Sequence, residues 1–358
     1  MVVCVIIYGS LDTLTGGYLY DRQLMTHFER SGHSVHLLSL PLRRYPLRLA
    51  DNLNRRLKER LQRVNPDLIF QDELCHPSLI ALNRGLKTDR PIPIVSIVHH
   101  LYCREKRPPL LNLIPTWIEK RYLDTIDGFV FNSRTTCDSV FNLSRPNRPH
   151  VIAPPGADRW GTQALSRPKR ATGKGPLRLL YVGLVIPRKG LLPLIEALAQ
   201  VRGQNWRLDV VGSLQVDHRY ANRCRKLSAQ LGLAPRIRYR GQIADSALKD
   251  IMAAAHLLCM PFAFEGFGIT TVEAMRWGLP VMGSTAGATL ELITHGVNGL
   301  LLDPGDIAGV AAVLSQLAAD RERLHAMGRS AFEKAQSQPT WWASMGLVEV
   351  FARRMAQP

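Results

Sequence analysis

Two glutamates with seven residues between them, Glu265 and Glu273, bracket the glycines Gly266 and Gly268. The glycines allow a backbone to come close to a ligand, and the residues after them read as the start of a helix. A helix start offers unpaired amide N–H groups and a positive dipole end, an arrangement that suits an anion such as a diphosphate. One carboxylate just before that helix and one about a turn and a half into it could grip hydroxyls at the two ends of a nucleotide-linked sugar. Alone, each glutamate fits a solvated surface charge, and a lone Gly-x-Gly is a weak signal. A second group lies upstream, where Tyr181-Val182-Gly183 ends a strand and leads to Pro187-Arg188-Lys189-Gly190. At about 4 Å and an effective dielectric of about 20, each cation there contributes up to about 4 kcal/mol against a phosphate before desolvation. By themselves Arg188 and Lys189 also fit an exposed basic loop. His99 stands at the end of another strand, in Ile97-Val98-His99-His100-Leu101, where a histidine is either a reactive group or a satisfied structural one.

The elements that must carry these groups follow from hydrophobic patterning. Residues 2–8 form a continuous apolar run, Gly16 and Gly17 break the chain, 18–30 have helical periodicity and 35–40 return to strand character. The Thr15-Gly16-Gly17 break reads either as a tight strand-to-helix turn or as a ligand loop. A helix follows Pro46, with Ala50, Leu53, Leu57, Leu61 and Val64 on one face. Strands are expected over 67–70, 94–98, 128–132 and 151–153, with helices near 116–124 and from Ser133. Residues 161–176 are basic and small, and read as a linker. Then alternation restarts: strands over 177–182, 207–211, 237–240, 257–260 and 280–283, and helices over 192–201, 220–231, 246–255 and 268–277. Alternating strands and helices predict α/β domains, each a parallel sheet covered on both faces.

The chain has 358 residues, 46% hydrophobic, which suits two domains with real cores. Its formal net charge of +17 is spread over both halves, which argues for basic surfaces rather than a detachable arm. Six cysteines stand singly with no Cys-x-x-Cys, so neither a zinc ribbon nor a disulfide framework is expected, and a reducing cytosol fits. The apolar start lacks the basic flank of a signal peptide, and no apolar run reaches the roughly 18 residues needed to span a bilayer. A cytoplasmic protein is expected.

The string Phe264-Glu265-Gly266-Phe267-Gly268-Ile269-Thr270-Thr271-Val272-Glu273 resembles the E-x7-E signature of the retaining GT-B glycosyltransferases (glycosyltransferase family 4-like, glycosyl transferases group 1). Other pieces fall in that family's order: the Lys189-Gly190 loop, Val210-Val211-Gly212, Arg240-Gly241-Gln242-Ile243, Ser284–Ala288 with Glu291, and Pro304-Gly305-Asp306. The resemblance implies two Rossmann-like doubly wound domains facing across a cleft. These are an acceptor-binding domain over 1–165, a nucleotide-sugar domain over 166–338, and a C-terminal helix over 339–358 that packs back on the first domain. It further implies that Lys189, helped by Arg188, binds the donor diphosphate, that Glu265 holds sugar hydroxyls and Glu273 the ribose. Gly16, Gly17, Gly183, Gly212, Ile243, Gly266, Phe267, Gly268 and Ile269 would line the donor, and His99 would contact its sugar. Asn132-Ser133-Arg134 and Pro154–Asp158 sit where the family has a helix cap and an interdomain turn. Departures are Leu184 where arginine is common, Ala288 for a second glycine, Arg276 for a small residue, and His100 where aspartate is frequent. Arg188 is the candidate substitute for the arginine missing at Leu184.

The implied reaction moves a sugar from a nucleotide diphosphate to a hydroxyl of a glycan or membrane lipid, with retention and with no protein general base. No cofactor and no metal is expected, since the sequence has neither an Asp-x-Asp nor a P-loop. Two rivals stay open: a GT-B nucleotide-sugar epimerase, and a non-catalytic sugar-nucleotide or membrane-binding protein. Arg43, Arg44, Arg48, Arg55, Arg56, Lys58, Arg60 and Arg63 oppose only Asp51 and Glu59, and a second basic–apolar segment covers 104–121. Both suit either an anionic membrane surface or a solvated helix face with an ordinary packed loop. Nucleic acid is not expected, because no basic stretch is interleaved with aromatics.

Overall fold

The computed structural model describes all residues except 14, 90, 106–107, 145–147, 162–174, 262–264, 304 and 358, and the backbone alone at 55, 88, 89 and 109. Most of the expected linker, together with Phe264 and Pro304, therefore lies outside the described residues. The chain divides into two compact units, Met1–Gly156 with Pro339–Pro358, and Ala157–Gln338.

The first unit is built on β1 (Val2–Tyr8), β2 (Ser34–Leu40), β3 (Leu68–Asp72), β4 (Ile94–Val98), β5 (Gly128–Phe131) and β6 (His150–Ile152). They form a parallel sheet in the order β2-β1-β3-β4-β5-β6. The second unit contains β7 (Leu177–Val182), β8 (Trp206–Val211), β9 (Ile237–Gly241), β10 (Leu257–Cys259), β11 (Val281–Ser284) and β12 (Gly299–Leu302). Their order is β12-β11-β10-β7-β8-β9, also all parallel. The second sheet has the Rossmann order and the first the other common doubly wound order. In both, the order reverses once, between β1 and β3 and between β7 and β10. Ligands bind at the carboxyl ends of strands beside such a reversal.

Each unit has its own apolar core. β3, β4 and β5 are buried along their whole length, as central parallel strands must be. One group of buried polar side chains is paired: Gln71 and Asn83 exchange hydrogen bonds of 2.8 and 3.1 Å, and Asn83 donates to Thr125 at 2.8 Å. That ladder ties β3 to helix His76–Asp89, which the sequence pattern did not yield because Asn83 interrupts its buried face.

The helix expected after Pro46 is broken. A short helix Tyr45–Arg48 runs into a 3-10 turn Leu49–Leu53, and Asn54 then caps helix Arg55–Val64 by accepting from the Arg56 amide at 3.1 Å. Leu57 and Leu61 are core residues, but Leu53 is 86% exposed. Helix Pro109–Leu123 begins well before the expected residue 116.

The last helix, Trp341–Ala356, packs against helix Gly16–Arg30. Glu349 fastens it, lying 2.8 Å from His27 Nε2 and 3.1 Å from His33 Nε2 while accepting from Arg353 at 2.8 Å. Burial pushes this carboxyl up, but the hydrogen bonds from His33, Arg353 and His27 win and hold it at about 2, below its ordinary 4.5. A carboxyl lowered in the fold stabilises it above the unfolded value and loses that contribution as pH falls towards the folded one. Glu349→Gln is therefore expected to cost about 2 kcal/mol at neutral pH. In thermal melts its deficit against wild type should shrink between pH 4.5 and 2. A deficit unchanged across that window would contradict this reading.

Candidate active site

In the second unit the loop after β7 curls into a 3-10 turn, Pro187–Lys189, closed by Gly190 at φ +69. A side chain at Gly190 would strike the Pro261 carbonyl, its Cβ only 2.2 Å from that oxygen, so the turn is pressed onto the end of β10. This aims Lys189 at the loop that follows β10. Its Nζ donates to Glu265 Oε2 at 2.6 Å, joining residues far apart in the chain. Both side chains are mostly buried. Burial lowers the Lys189 pKa against the pull of the Glu265 carboxylate.

Glu265 is itself held by backbone. Its carbonyl accepts from Ala288 N at 2.9 Å, and Gly287, at φ +82, lies so close that a Cβ there would meet the same carbonyl at 2.2 Å. Ala288 has φ −77, so the departure from glycine costs no strain. Gly268, at φ +97, turns the chain into helix Ile269–Arg276 with no side-chain cap, leaving first-turn amides to other partners. Gly266, Phe267 and Gly268 are buried and Ile269 is half-buried. Arg276 falls in the last turn of this helix, where a cation suits the dipole.

Glu273 is 3% exposed rather than a solvated charge. Burial pushes its pKa up to about 7 against the nearby Arg159 guanidinium, whose Nη1 is 3.5 Å away. Arg159 also donates to Asp245 at 2.7 Å and lies over the Trp160 ring. Sequence reasoning missed Arg159 and Asp245; only the placement of Arg159 directly after the Pro154–Asp158 turn marked it. Gly183 and Gly212 form the adjoining strand ends: Gly183 N donates to Val211 O and Gly212 N to Gly241 O, each at 2.9 Å. A Cβ at Gly212 would sit 1.9 Å from the Gly183 carbonyl, so that approach requires glycine. Ile243, half-buried, follows β9 on the same edge. Arg188 is part-exposed beside Lys189, and the Leu184 carbonyl accepts from the Tyr181 hydroxyl at 3.0 Å.

In the first unit Gly16 and Gly17 open helix Gly16–Arg30, capped by Thr15. A Cβ at Gly17 would stand 3.2 Å from His99 Cδ2, so the glycine lets the helix start lie against the imidazole. His99 is buried after β4, with Tyr20 edge-on at 5.3 Å and Asp21 Oδ1 3.4 Å from its Nε2. Asn132 donates to the His99 carbonyl at 3.1 Å. Burial by itself would lower the imidazole pKa; the Asp21 hydrogen bond and the charges of Asp21 and Asp72 raise it instead. Asp72 is pushed up to about 6 by burial and by Asp21, with His99 pulling it down. Asp21 and Asp72 are two more residues that the sequence reading passed over. His100 lies 3.3 Å from Glu105 instead.

Thus one group of predicted residues gathers beside the β7/β10 reversal and another beside the β1/β3 reversal. The profile described as "Glycosyl transferases group 1" matches residues 162–334, and that of "Glycosyltransferase Family 4" matches 15–159. The chain belongs to the GT-B glycosyltransferases of group 1.

Among curated relatives, a D-inositol 3-phosphate glycosyltransferase of Nocardia farcinica is 27% identical over 65% of this chain and 54% of its own. An MMP alpha-(1->4)-mannosyltransferase of Mycolicibacterium hassiacum is 27% identical over 74% and 66%. A GDP-mannose-dependent phosphatidylinositol monomannoside mannosyltransferase of Mycobacterium tuberculosis is 28% identical over 62% and 60%. The match thus spans only 54% to 66% of these relatives' length. In structure, a sucrose-phosphate synthase of Thermosynechococcus elongatus superposes with a TM-score of 0.83 at 20% identity, covering 99% of this chain and 98% of its own. Anabaena HepE in complex with UDP-glucose gives 0.76 at 19%, covering 98% and 99%. These likenesses establish the two-domain GT-B fold of this group 1 glycosyltransferase.

Proposed function

We propose that this group 1 glycosyltransferase moves a sugar from a nucleoside diphosphate sugar to a hydroxyl of a glycan or membrane lipid, with retention and with no metal in the transfer step. The observation that carries the reading is the 2.6 Å pair of Lys189 and Glu265. It joins the Lys-Gly loop to the first glutamate of the E-x7-E string. A diphosphate entering this loop replaces Glu265 as the partner of the Lys189 ammonium, and the released carboxylate accepts hydrogen bonds from sugar hydroxyls. Glu273 takes the ribose, and His99 orients the sugar. As the sugar–phosphate bond breaks, charge grows on the leaving phosphate, where Lys189, Arg188 and the 267–269 amides stabilise it. The phosphate then accepts the acceptor proton, so no side chain acts as base. The relatives' named acceptors, an inositol phosphate and a phosphatidylinositol mannoside, support a hydroxyl acceptor. The test is nucleotide release from a panel of UDP-, GDP- and ADP-sugars with a lipid extract. Lys189→Ala should lower kcat about 10²–10³-fold with the working donor. Near-normal turnover in that variant would contradict the assignment.

A membrane lipid as acceptor, with the protein peripheral on the cytoplasmic face, draws support from helix Pro109–Leu123. It buries Ile118, Tyr122 and Leu123, yet Leu110, Leu111, Leu113, Ile114 and Trp117 on its other side are 59–80% exposed. An outward apolar stripe with Lys120 and Arg121 in the last turn suits an anionic interface, which gains about 1 kcal/mol per basic group. Part of the 43–63 basic cluster serves the fold instead: Arg43 pairs with Asp51 at 2.8 Å, and Arg48 covers the Tyr8 ring. Flotation with vesicles should show binding that needs anionic lipid and falls on Ile114→Glu. Equal recovery with and without anionic lipid would reject the membrane proposal.

A further inference from the structure

Glu73, His76 and Glu119 have no part in the proposed transfer chemistry, yet they are buried together at 0%, 1% and 0% exposure. Glu73 opens a 3-10 turn, Glu73–Cys75, directly after β3; His76 begins helix His76–Asp89; and Glu119 projects from helix Pro109–Leu123. One nitrogen or oxygen from each side chain lies within 4.8 Å of the others. His76 Nδ1 is 3.0 Å from Glu73 Oε1 and 3.9 Å from Glu119 Oε1.

The polar bookkeeping of this cluster is incomplete. Glu119 accepts from the amides of Tyr102 and Cys103 at 2.7 and 3.0 Å. Among the described residues, neither carboxylate oxygen of Glu73 has a hydrogen-bond donor. The groups facing it are the imidazole, whose Nδ1 also lies 3.0 Å from the Glu73 carbonyl, and the second carboxylate. Among the described ion pairs, no lysine or arginine reaches Glu73 or Glu119. Ionised without a cation, two such carboxylates cost several kcal/mol each, and burial accordingly pushes both carboxyls up to about 8. A divalent ion cancels both charges and uses the imidazole as a neutral third ligand.

The spacing fits such an ion. Bonds of about 2.0–2.2 Å from zinc to nitrogen and oxygen place ligand atoms roughly 3–3.5 Å apart, and the observed pair of distances brackets that range. Donors limited to nitrogen and carboxylate oxygen suit zinc, manganese or cobalt rather than a thiolate-seeking ion. A second layer is present as well. The Glu73 carbonyl accepts from His76 Nδ1 at 3.0 Å, and the Tyr45 hydroxyl lies 2.8 Å from Nε2, so on metal binding the ring would carry its hydrogen on Nε2, against the Tyr45 oxygen, and free Nδ1 for the ion. Tyr45 stacks on Tyr102 at 4.6 Å, which closes the cluster from that side.

We propose that Glu73, His76 and Glu119 bind one divalent transition-metal ion of zinc type. The ion fastens the turn after β3 to helix Pro109–Leu123 and, through the Glu119 hydrogen bonds, to the 102–104 turn that follows His99. It is a structural ion of the first unit, and the transfer step does not run through it.

The experiment uses the full-length protein stripped with a chelator and titrated with Co²⁺, followed by visible absorption and by metal analysis after Zn²⁺ loading. Expected are one Co²⁺ and one Zn²⁺ per chain and a higher thermal midpoint on loading. Glu73→Gln and His76→Gln should lose the cobalt bands while keeping the wild-type far-ultraviolet circular dichroism. Should those variants misfold, Tyr45→Phe, which removes only the outer partner, should weaken Co²⁺ affinity about 10-fold or more. Absence of stoichiometric uptake by wild type overturns the proposal, as does equal uptake by Glu73→Gln. If wild type takes up no metal and Glu73→Gln melts higher in chelator, the carboxylates share a proton, and the proposal also fails. None of these outcomes depends on whether the protein transfers sugar.

Discussion

In each sheet the strand order reverses once, and the chain leaving the two strands beside that reversal must turn to opposite faces. What remains between them is an opening at the carboxyl edge that neither connection fills. Much of the chemistry stands on these connections or next to them. After β7 and β10 come Gly183, Lys189 and Glu265; Gly17 follows β1, Asp72 ends β3, and His99 follows the neighbouring β4. The glycines show how tightly the backbone is drawn in there. Gly190 touches Pro261, Gly212 touches Gly183, and Gly287 touches Glu265, each so closely that a methyl group would collide with a carbonyl. The Lys189–Glu265 pair is possible only because those contacts fix both loops.

Buried charge is the second constraint on the fold. Glu273, Asp21, Asp72, Glu73 and Glu119 are all nearly inaccessible. Each raises the same electrostatic question, since an ionised carboxylate out of water needs a cation, several amides or a proton. Arg159 answers it for Glu273, and the imidazole of His99 answers it for Asp21. Among the described residues Glu73 faces only His76 and another carboxylate, and that difference sets its cluster apart from the other two. Sites that hold a sugar, a phosphate or a metal must keep such charges, so their cost is borne by the packed strands beneath them.

Much of this was legible in the sequence because it is local. Strand–helix alternation, the Lys189-Gly190 loop and the spacing of Glu265 and Glu273 are patterns within a few residues. Their family resemblance alone points to the GT-B fold. Partners contributed from far along the chain were not legible. Nothing near Glu273 announces Arg159, and nothing near His99 announces Asp21 or Asp72, since those meetings depend on strand order. Asn54 hid a helix break because its neighbours Leu53 and Leu57 keep a helical spacing, although only Leu57 is buried. Helix His76–Asp89 was passed over for the converse reason: its inward face carries Asn83, satisfied by Gln71 and Thr125, where the pattern calls for an apolar residue.

The central claim is transfer from a nucleotide sugar by same-face attack, with the leaving phosphate as proton acceptor. Proton NMR of the reaction with an α-linked nucleotide hexose as donor tests it most directly, because the coupling of the anomeric proton reports the configuration of the first product formed. The account predicts an α-linked product appearing together with the free nucleoside diphosphate. A β-linked first product would contradict it.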